Sequence, residues 1–468
     1  MQARRDQVQA QSYVLGRLSG ALVAAEPDGL ENPHRRMTVG TICGLLVSAL
    51  VIVGFAVYGY FVPGGATRWR TPGVLVLEKE TGTRYVYAGE ALHPVLNHAS
   101  TRLLFGGEPR VVSVSRNSLK GVPHGQPVGI VGAPDALPAP GKVGEQVWTA
   151  CALAVRDQAG ALSTGTTLSI SGPAGAGGAV LGPGEAAVAT AGGQTFLIWQ
   201  GRRLRVTQPW LARLFGYDKR AVPVEASWLD LVPVGPDLTP VPVAGRGSPG
   251  PMIDGRQARI GELFVARGAE SQERRYLLLN DGLAELNTFA YTIVAADEAT
   301  TKLYGGRAVT PSELSPAALA RLPVSTRAVL PTGVPEAPPW LPALPTDGTW
   351  CVRHTMADGR VEVTAGQPVP ASDAVSDSAG VTRTSLTAAR ITAQSGVGGL
   401  VLAGRQDQAA GSGFYLVTDV GVKFPLASAQ VAGQLGYPPT GARPVPRRLL
   451  ELLPTGPLLE SAAPGGGR

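Results

Sequence analysis

Cysteine and histidine are scarce in this chain, three and five among 468 residues, and charged residues make up only 16%. Lysine is scarce too, at six residues. The net charge of +6 comes almost wholly from arginine, and no stretch interleaves basic residues with aromatics, so no nucleic-acid groove is expected. His34, His93, His98, His124 and His354 form no H-E-x-x-H or paired Cys/His set, so no zinc site is expected either. His93 and His98 are neighbours that read as surface imidazoles beside a turn. A G-x-x-x-x-G-K-[ST] loop is missing: Gly141-Lys142-Val143 lacks the leading Gly and the hydroxyl that would hold Mg²⁺. The Gly-rich run GPAGAGGAVLGPG from Gly172 fails the dinucleotide pattern at its last Gly, and no G-x-S-x-G elbow occurs. The residues therefore give no catalytic, cofactor-binding or metal-binding constellation, and the chain leans away from being an enzyme.

What the chain does have is 61 Gly and 40 Pro beside a 44% apolar share, a balance that fits turn-dense β structure better than disorder. Its length allows two to four domains. One long uncharged run stands out, the twenty-five residues of Thr38 to Val62. A hydrocarbon core of about 30 Å needs roughly 20 helical residues, so this run can span a membrane. The competing reading is a signal peptide, but thirty-seven residues precede the run and no Ala-x-Ala site follows before Pro63. Tyr58, Tyr60 and Trp69 suit an outer aromatic belt, with His34, Arg35 and Arg36 at the inner end. Arg68 and Arg70 follow the span directly and weaken orientation by charge alone. Ahead of it, Val8, Leu15, Leu18 and Leu22 recur at helical spacing opposite Arg4, Arg5 and Arg17, predicting an amphipathic arm over 1–37, broken from Pro27 to Pro33; the alternative is a poorly ordered tail.

Beyond the anchor a single pattern recurs four times. Each copy opens on strand-like runs with a Gly-containing turn: RYVYAGEALHPV from Arg84, TFLIWQGRRLRV from Thr195, RYLLLNDGLAEL from Arg275, and FYLVTDVGVKFP from Phe414. A helix end follows, stopped by Gly106, Gly216, Gly305 or Gly436 as a left-handed cap. A strand or turn at Val112, Val222, Val309 or Val445 and a Leu-containing helical stretch close the unit. The second and fourth copies agree best, since WLDLVPVGPDL from Trp228 aligns without gaps on LLELLPTGPLL from Leu449.

Two β blocks lie between the copies. One begins Val147-Trp148-Thr149-Ala150-Cys151 and passes through GGAVLGPGEA; the other begins Thr349-Trp350-Cys351 and passes through GGLVLAGRQD. Each is short of a full core, so the two would bury their apolar faces together in a pseudo-twofold central domain. The expected order is repeat 1 over 74–138, central β over 139–193, repeat 2 over 194–240 and a Pro-rich linker over 241–259. Repeat 3 over 260–345, central β over 346–411, repeat 4 over 412–460 and a disordered tail over 461–468 complete it.

Cys43, inside the anchor, reads as a small apolar residue. Cys151 and Cys351 hold corresponding places in the two β blocks, each close behind a Trp, which predicts a disulfide, the alternative being two inert buried thiols. Such a bond persists only in an oxidising compartment, which places the body outside the cytoplasmic membrane and the N-terminus inside.

This arrangement resembles the EccB family, a membrane core component of the actinobacterial type VII (ESX) secretion system. The residues that carry the resemblance are Arg5-Asp6-Gln7-Val8 with Leu15 to Leu22, the span after His34-Arg35-Arg36, and Leu92-His93-Pro94-Val95-Leu96-Asn97 after Arg84-Tyr85-Val86-Tyr87. Pro127-Val128-Gly129-Ile130 with Gly132-Ala133-Pro134, and the two body cysteines, complete the match. The resemblance implies an α+β fold: one transmembrane helix, then an elongated extracytoplasmic body of four repeats around the central β domain, each repeat similar to a phage-lysin cell-wall-binding subunit. It also implies a structural and assembly role beside the EccC motor ATPase, EccD and EccE, with self-association and possible peptidoglycan contact. Members of the family have been described as ATPases, an activity for which this chain lacks the phosphate loop.

Overall fold

A computed structural model describes residues 2–24, 33–61, 66–156, 162–171, 178–267, 273–345, 348–366, 379–404 and 413–461. The break from Pro27, the Gly-rich run from Gly172 to 177 and the tail beyond 461 lie outside the described residues. The chain divides into two compact units, Met1–Pro94 with Arg110–Pro127, and Val95–Pro109 with Val128–Arg468.

The first unit begins with helix Gln2–Ala24, on which Val8, Leu15, Leu18 and Leu22 are all exposed. Helix Pro33–Phe61 contains the apolar stretch Met37–Tyr60, 24 residues with no part buried, long enough to cross a bilayer at roughly 1.5 Å per residue. The first repeat sheet packs Trp69, Val76, Tyr85, Leu92, Val114 and Leu119 into its own small core.

All four repeat sheets share one topology. Three consecutive strands form an antiparallel meander, the chain passes through a helix, and a fourth strand returns parallel to the first. The first strands are Val74–Glu78, Ala186–Ala191, Leu263–Arg267 and Gly399–Gly404; the fourth are Arg110–Val114, Val222–Pro223, Ser312–Glu313 and Arg443–Pro446. Gly106, Gly216, Gly305 and Gly436 follow their helices at φ of 69°, 68°, 67° and 93°, a region that only glycine enters without a Cβ clash.

Three expected boundaries shift. Ala186–Ala191 and Gly399–Gly404 are hydrogen-bonded into repeat sheets, so repeats 2 and 4 open before 194 and 412. The counterpart of the GGLVLAG strand is therefore Ala186–Ala191 and not GGAVLGPGEA, whose Ala179–Val180 pairs with the central sheet instead. An alanine-rich AAVATA run has weak β propensity, and its neighbours rather than its own side chains make it a strand. Within 241–259, Pro249–Ile253 and Arg256–Arg259 form a hairpin closed by Asp254 and Gly255 at φ of 46° and 80°, an Asp-Gly turn of the hairpin type.

In the second unit the helix of repeat 2 and that of repeat 3 meet in one core, where Phe215 stacks on Phe289 at 4.7 Å. Helix His98–Phe105 meets repeat 4 in another, with Arg102 donating to the Leu435 carbonyl at 3.1 Å.

Candidate functional site: the bridged central sheet

Six strands make up the central sheet, and the two at its middle come from opposite halves of the chain. Val147–Arg156 runs antiparallel to Thr349–Thr355 with Cys151 directly opposite Cys351, Ala150 opposite Val352 and Trp148 opposite His354. Because the cysteines are equivalent positions 200 residues apart, a local twofold axis passes through them, and their sulfurs are bonded. Both are 2% exposed. Leu162–Ser171 and Arg360–Gly366 flank the pair, each still beside its own half.

The outermost positions are exchanged. Arg390–Ala393, from the second half, runs along Leu162–Ser171 of the first, and Ala179–Val180, from the first half, runs along Arg360–Gly366 of the second. Each half thus completes the other's edge, which protects strands that would otherwise present unpaired backbone.

Alternation along the strands separates two faces. One carries Trp148, Ala150, Ala152, Leu168, Ile170, Trp350, Val352 and Val363 and is covered by the closing segments of repeats 2 and 4. Trp228, Leu229, Leu231 and Val232 are buried there, as are Leu449, Leu450, Leu452 and Leu453, their aligned equivalents. Trp228 Nε1 donates to the Ala150 carbonyl at 3.0 Å, the Ala388 amide to the Leu452 carbonyl at 2.8 Å, and Gln146 Nε2 to the Gly398 carbonyl at 2.8 Å. In repeat 4, Lys423 Nζ caps the closing helix by donating to the carbonyls of Leu450 and Leu453, and burial lowers its pKa to about 8. The opposite face is polar at its centre, with Thr149, Thr167, Thr349 and Thr364 buried around the bridge. Arg353 and Glu362 pair on it at 3.3 Å.

His354, expected only as one of five uninformative histidines, lies on the apolar face, 2% exposed, with Nε2 unpartnered. Burial without a compensating charge lowers its pKa to about 4, so it is neutral under ordinary conditions. His93 Nδ1 lies 2.9 Å from the Gln126 carbonyl, and His98 accepts from Arg102. Among the described residues no group of His, Cys, Asp and Glu is placed to hold a metal. A cleft of about 430 Å³ lies within repeat 2 between Phe196, Leu229 and Val234, walled by the pairs Arg203–Asp230 at 2.7 Å and Arg205–Asp237 at 2.5 Å. These polar groups partner one another rather than converging on a reacting atom. The arrangement locks two half-chains into one sheet and seats a repeat at each side. The signal for the polar face was present in Leu162–Ser171, where Ser163, Thr167, Ser169 and Ser171 alternate, but without a register it could not be assigned to a face.

The family model for the type VII secretion system ESX-1 transport TM domain B matches residues 2–464. Among curated proteins, the ESX-3 secretion system ATPase EccB3 of Mycolicibacterium smegmatis is 28% identical over 97% of this chain and 89% of its own length. The ESX-1 secretion system ATPase EccB1 of Mycobacterium tuberculosis is 26% identical over 98% and 93%. Two solved structures share the fold. A chain of the intact ESX-5 inner membrane complex aligns with a TM-score of 0.64 at 23% identity, over 98% of this chain and 94% of that one. A chain of the EccB3 dimer from the ESX-3 core complex aligns with a TM-score of 0.63 at 22% identity, over 83% and 98%. With a model spanning nearly every residue, the chain belongs to the EccB family of type VII secretion membrane components.

Proposed function

We propose that this chain is a structural and assembly subunit of a type VII (ESX) secretion membrane complex, anchoring and shaping its extracytoplasmic part. The observation that carries the reading is the family match over residues 2–464, which takes in arm, anchor, repeats and central sheet together. The arm packs on the cytoplasmic side, the Met37–Tyr60 helix joins a transmembrane bundle, and the body faces the cell wall. This orientation is supported by the Cys151–Cys351 bridge, which requires an oxidising compartment, and by Arg35 and Arg36 at the inner end of the span. The partners are the EccC motor ATPase, EccD, EccE and further copies of the chain, with peptidoglycan a contact of the body. Purification of the detergent-solubilised chain from its host tests the proposal: motor and channel subunits should co-elute with it, and recovery of the chain alone would count against it.

The curated relatives carry the word ATPase in their names. Hydrolysis is the weaker reading, because Gly141-Lys142-Val143 is the nearest approach to a phosphate loop and lacks its essential members. Nucleotide turnover by the purified full-length chain above a protein-free blank, lost on no contaminant-removal step, would reinstate it.

A further inference from the structure

We propose that the end of the first repeat sheet bearing Arg68, Arg70 and Arg110 binds the phosphate headgroups of anionic phospholipid. Positive charge is concentrated in this module: residues 66–94 and 110–127 hold seven basic against three acidic side chains, a net +4 of the chain's +6. It is also tethered to the bilayer. Only residues 62–65 separate Phe61, the end of the anchor helix, from Ala66, a reach of roughly 17 Å even when fully extended.

Strand register puts three arginines at one end of the sheet. The turn Arg68–Arg70 leads directly into Val74–Glu78, and Val74 is the parallel partner of Arg110. The antiparallel partner of Leu75 is Val86, which brings the Gly89-Glu90 turn to the same end; Glu108, two residues before Arg110, is taken up by Arg102 at 2.7 Å. At the opposite end the charges balance locally: Arg116 pairs with Glu78 at 2.7 Å and its amide donates to Glu80. The arginine-bearing turn is held rigidly. Trp69 is 1% exposed, its Nε1 donates to the Ala66 carbonyl at 2.7 Å, and its ring meets Tyr87 edge-on at 5.2 Å. The Arg70 guanidinium stands 5.1 Å from the Trp69 ring centroid, and Thr71 Oγ1 donates to the Arg68 carbonyl. Arg68, Arg70 and Arg110 are exposed, and among the described residues no carboxylate lies within ion-pairing distance of any of them. Planar forks on a pinned turn match phosphate oxygens, and Tyr58 and Tyr60 in the last turns of the anchor mark the depth at which headgroups begin.

The inference rests on the anchor being inserted, which co-elution of the full-length chain with lipid nanodiscs checks separately. Hydrogen exchange over Arg68–Val74 would be compared in phosphatidylcholine discs and in discs containing phosphatidylglycerol. Anionic lipid should slow exchange about fivefold for each arginine engaged. R68Q/R70Q/R110Q should abolish the slowing, K79Q/K120Q at the far end should leave it intact, and inorganic phosphate on phosphatidylcholine discs should not reproduce it. Equal exchange in the two lipids, slowing that survives in the triple arginine variant, or slowing by free phosphate would overturn the proposal. Slowing seen only in native membranes would overturn it too, and would assign the arginines to an acidic protein surface.

Discussion

At the residue scale, His354 and the two body cysteines make opposite demands on their surroundings. His354 must stay neutral within the apolar face. Its folded pKa of about 4 lies below the ordinary value of 6.5, so the unfolded chain takes up a proton first as the pH falls. Stability is therefore lost progressively from about pH 6.5 down to 4, by on the order of 3 kcal/mol from this group. Replacing it in H354L should flatten the acid limb of a stability-versus-pH curve measured by urea unfolding; an unchanged slope over that window would show that His354 is solvated. For the cysteines, C151S should lower the oxidised protein's stability by up to about 5 kcal/mol, the loop-entropy ceiling for a 200-residue closure. Equal melting temperatures for C151S and the parent under oxidising conditions would contradict a closed bridge.

At the scale of elements, the four helix-stopping glycines allow an internal comparison. Gly216 at φ 68° has open space where a Cβ would go, whereas at Gly436, φ 93°, a Cβ would meet Arg102 Nη1 at 2.5 Å. G216A should cost about 1 kcal/mol from the left-handed backbone alone. G436A should cost more, because Arg102 must leave the Leu435 carbonyl; equal losses in chemical denaturation would show that the guanidinium gives way freely. These caps were legible because Gly after an apolar helical turn has a local cause. So was the anchor, whose length alone decides its reading, and so were the closing segments WLDLVP and LLELLP, whose apolar positions are the buried ones. Less legible were elements that depend on a neighbour. Ala186–Ala191 becomes a strand by pairing on both sides, and the hairpin at Asp254-Gly255 was hidden by surrounding prolines, although Asp-Gly is itself a hairpin signal. The exchange of edge strands could not be read at all, because pairing partners distant in the chain leave no local periodicity.

At the scale of the whole molecule, the exchanged edges and the bridge join the two halves of the central sheet within the second unit. A protease site inserted in the Pro-rich stretch 241–248 should be cleaved without separating the halves on a native gel, even after reduction, because Arg390–Ala393 and Ala179–Val180 still hold opposite partners. Separation on reduction alone would mean that the disulfide, and not the interlock, holds them. Twofold correspondence of the β blocks was legible from Cys151 and Cys351, each close behind a Trp, before any register was known.

The most direct test of the account is non-reducing peptide mapping of the chain in native membranes after alkylation of free thiols. The account predicts one linked peptide pair joining Cys151 to Cys351, with Cys43 the only cysteine free to be alkylated. Alkylation of both body cysteines would contradict both the oxidising location of the body and the covalent link between its halves.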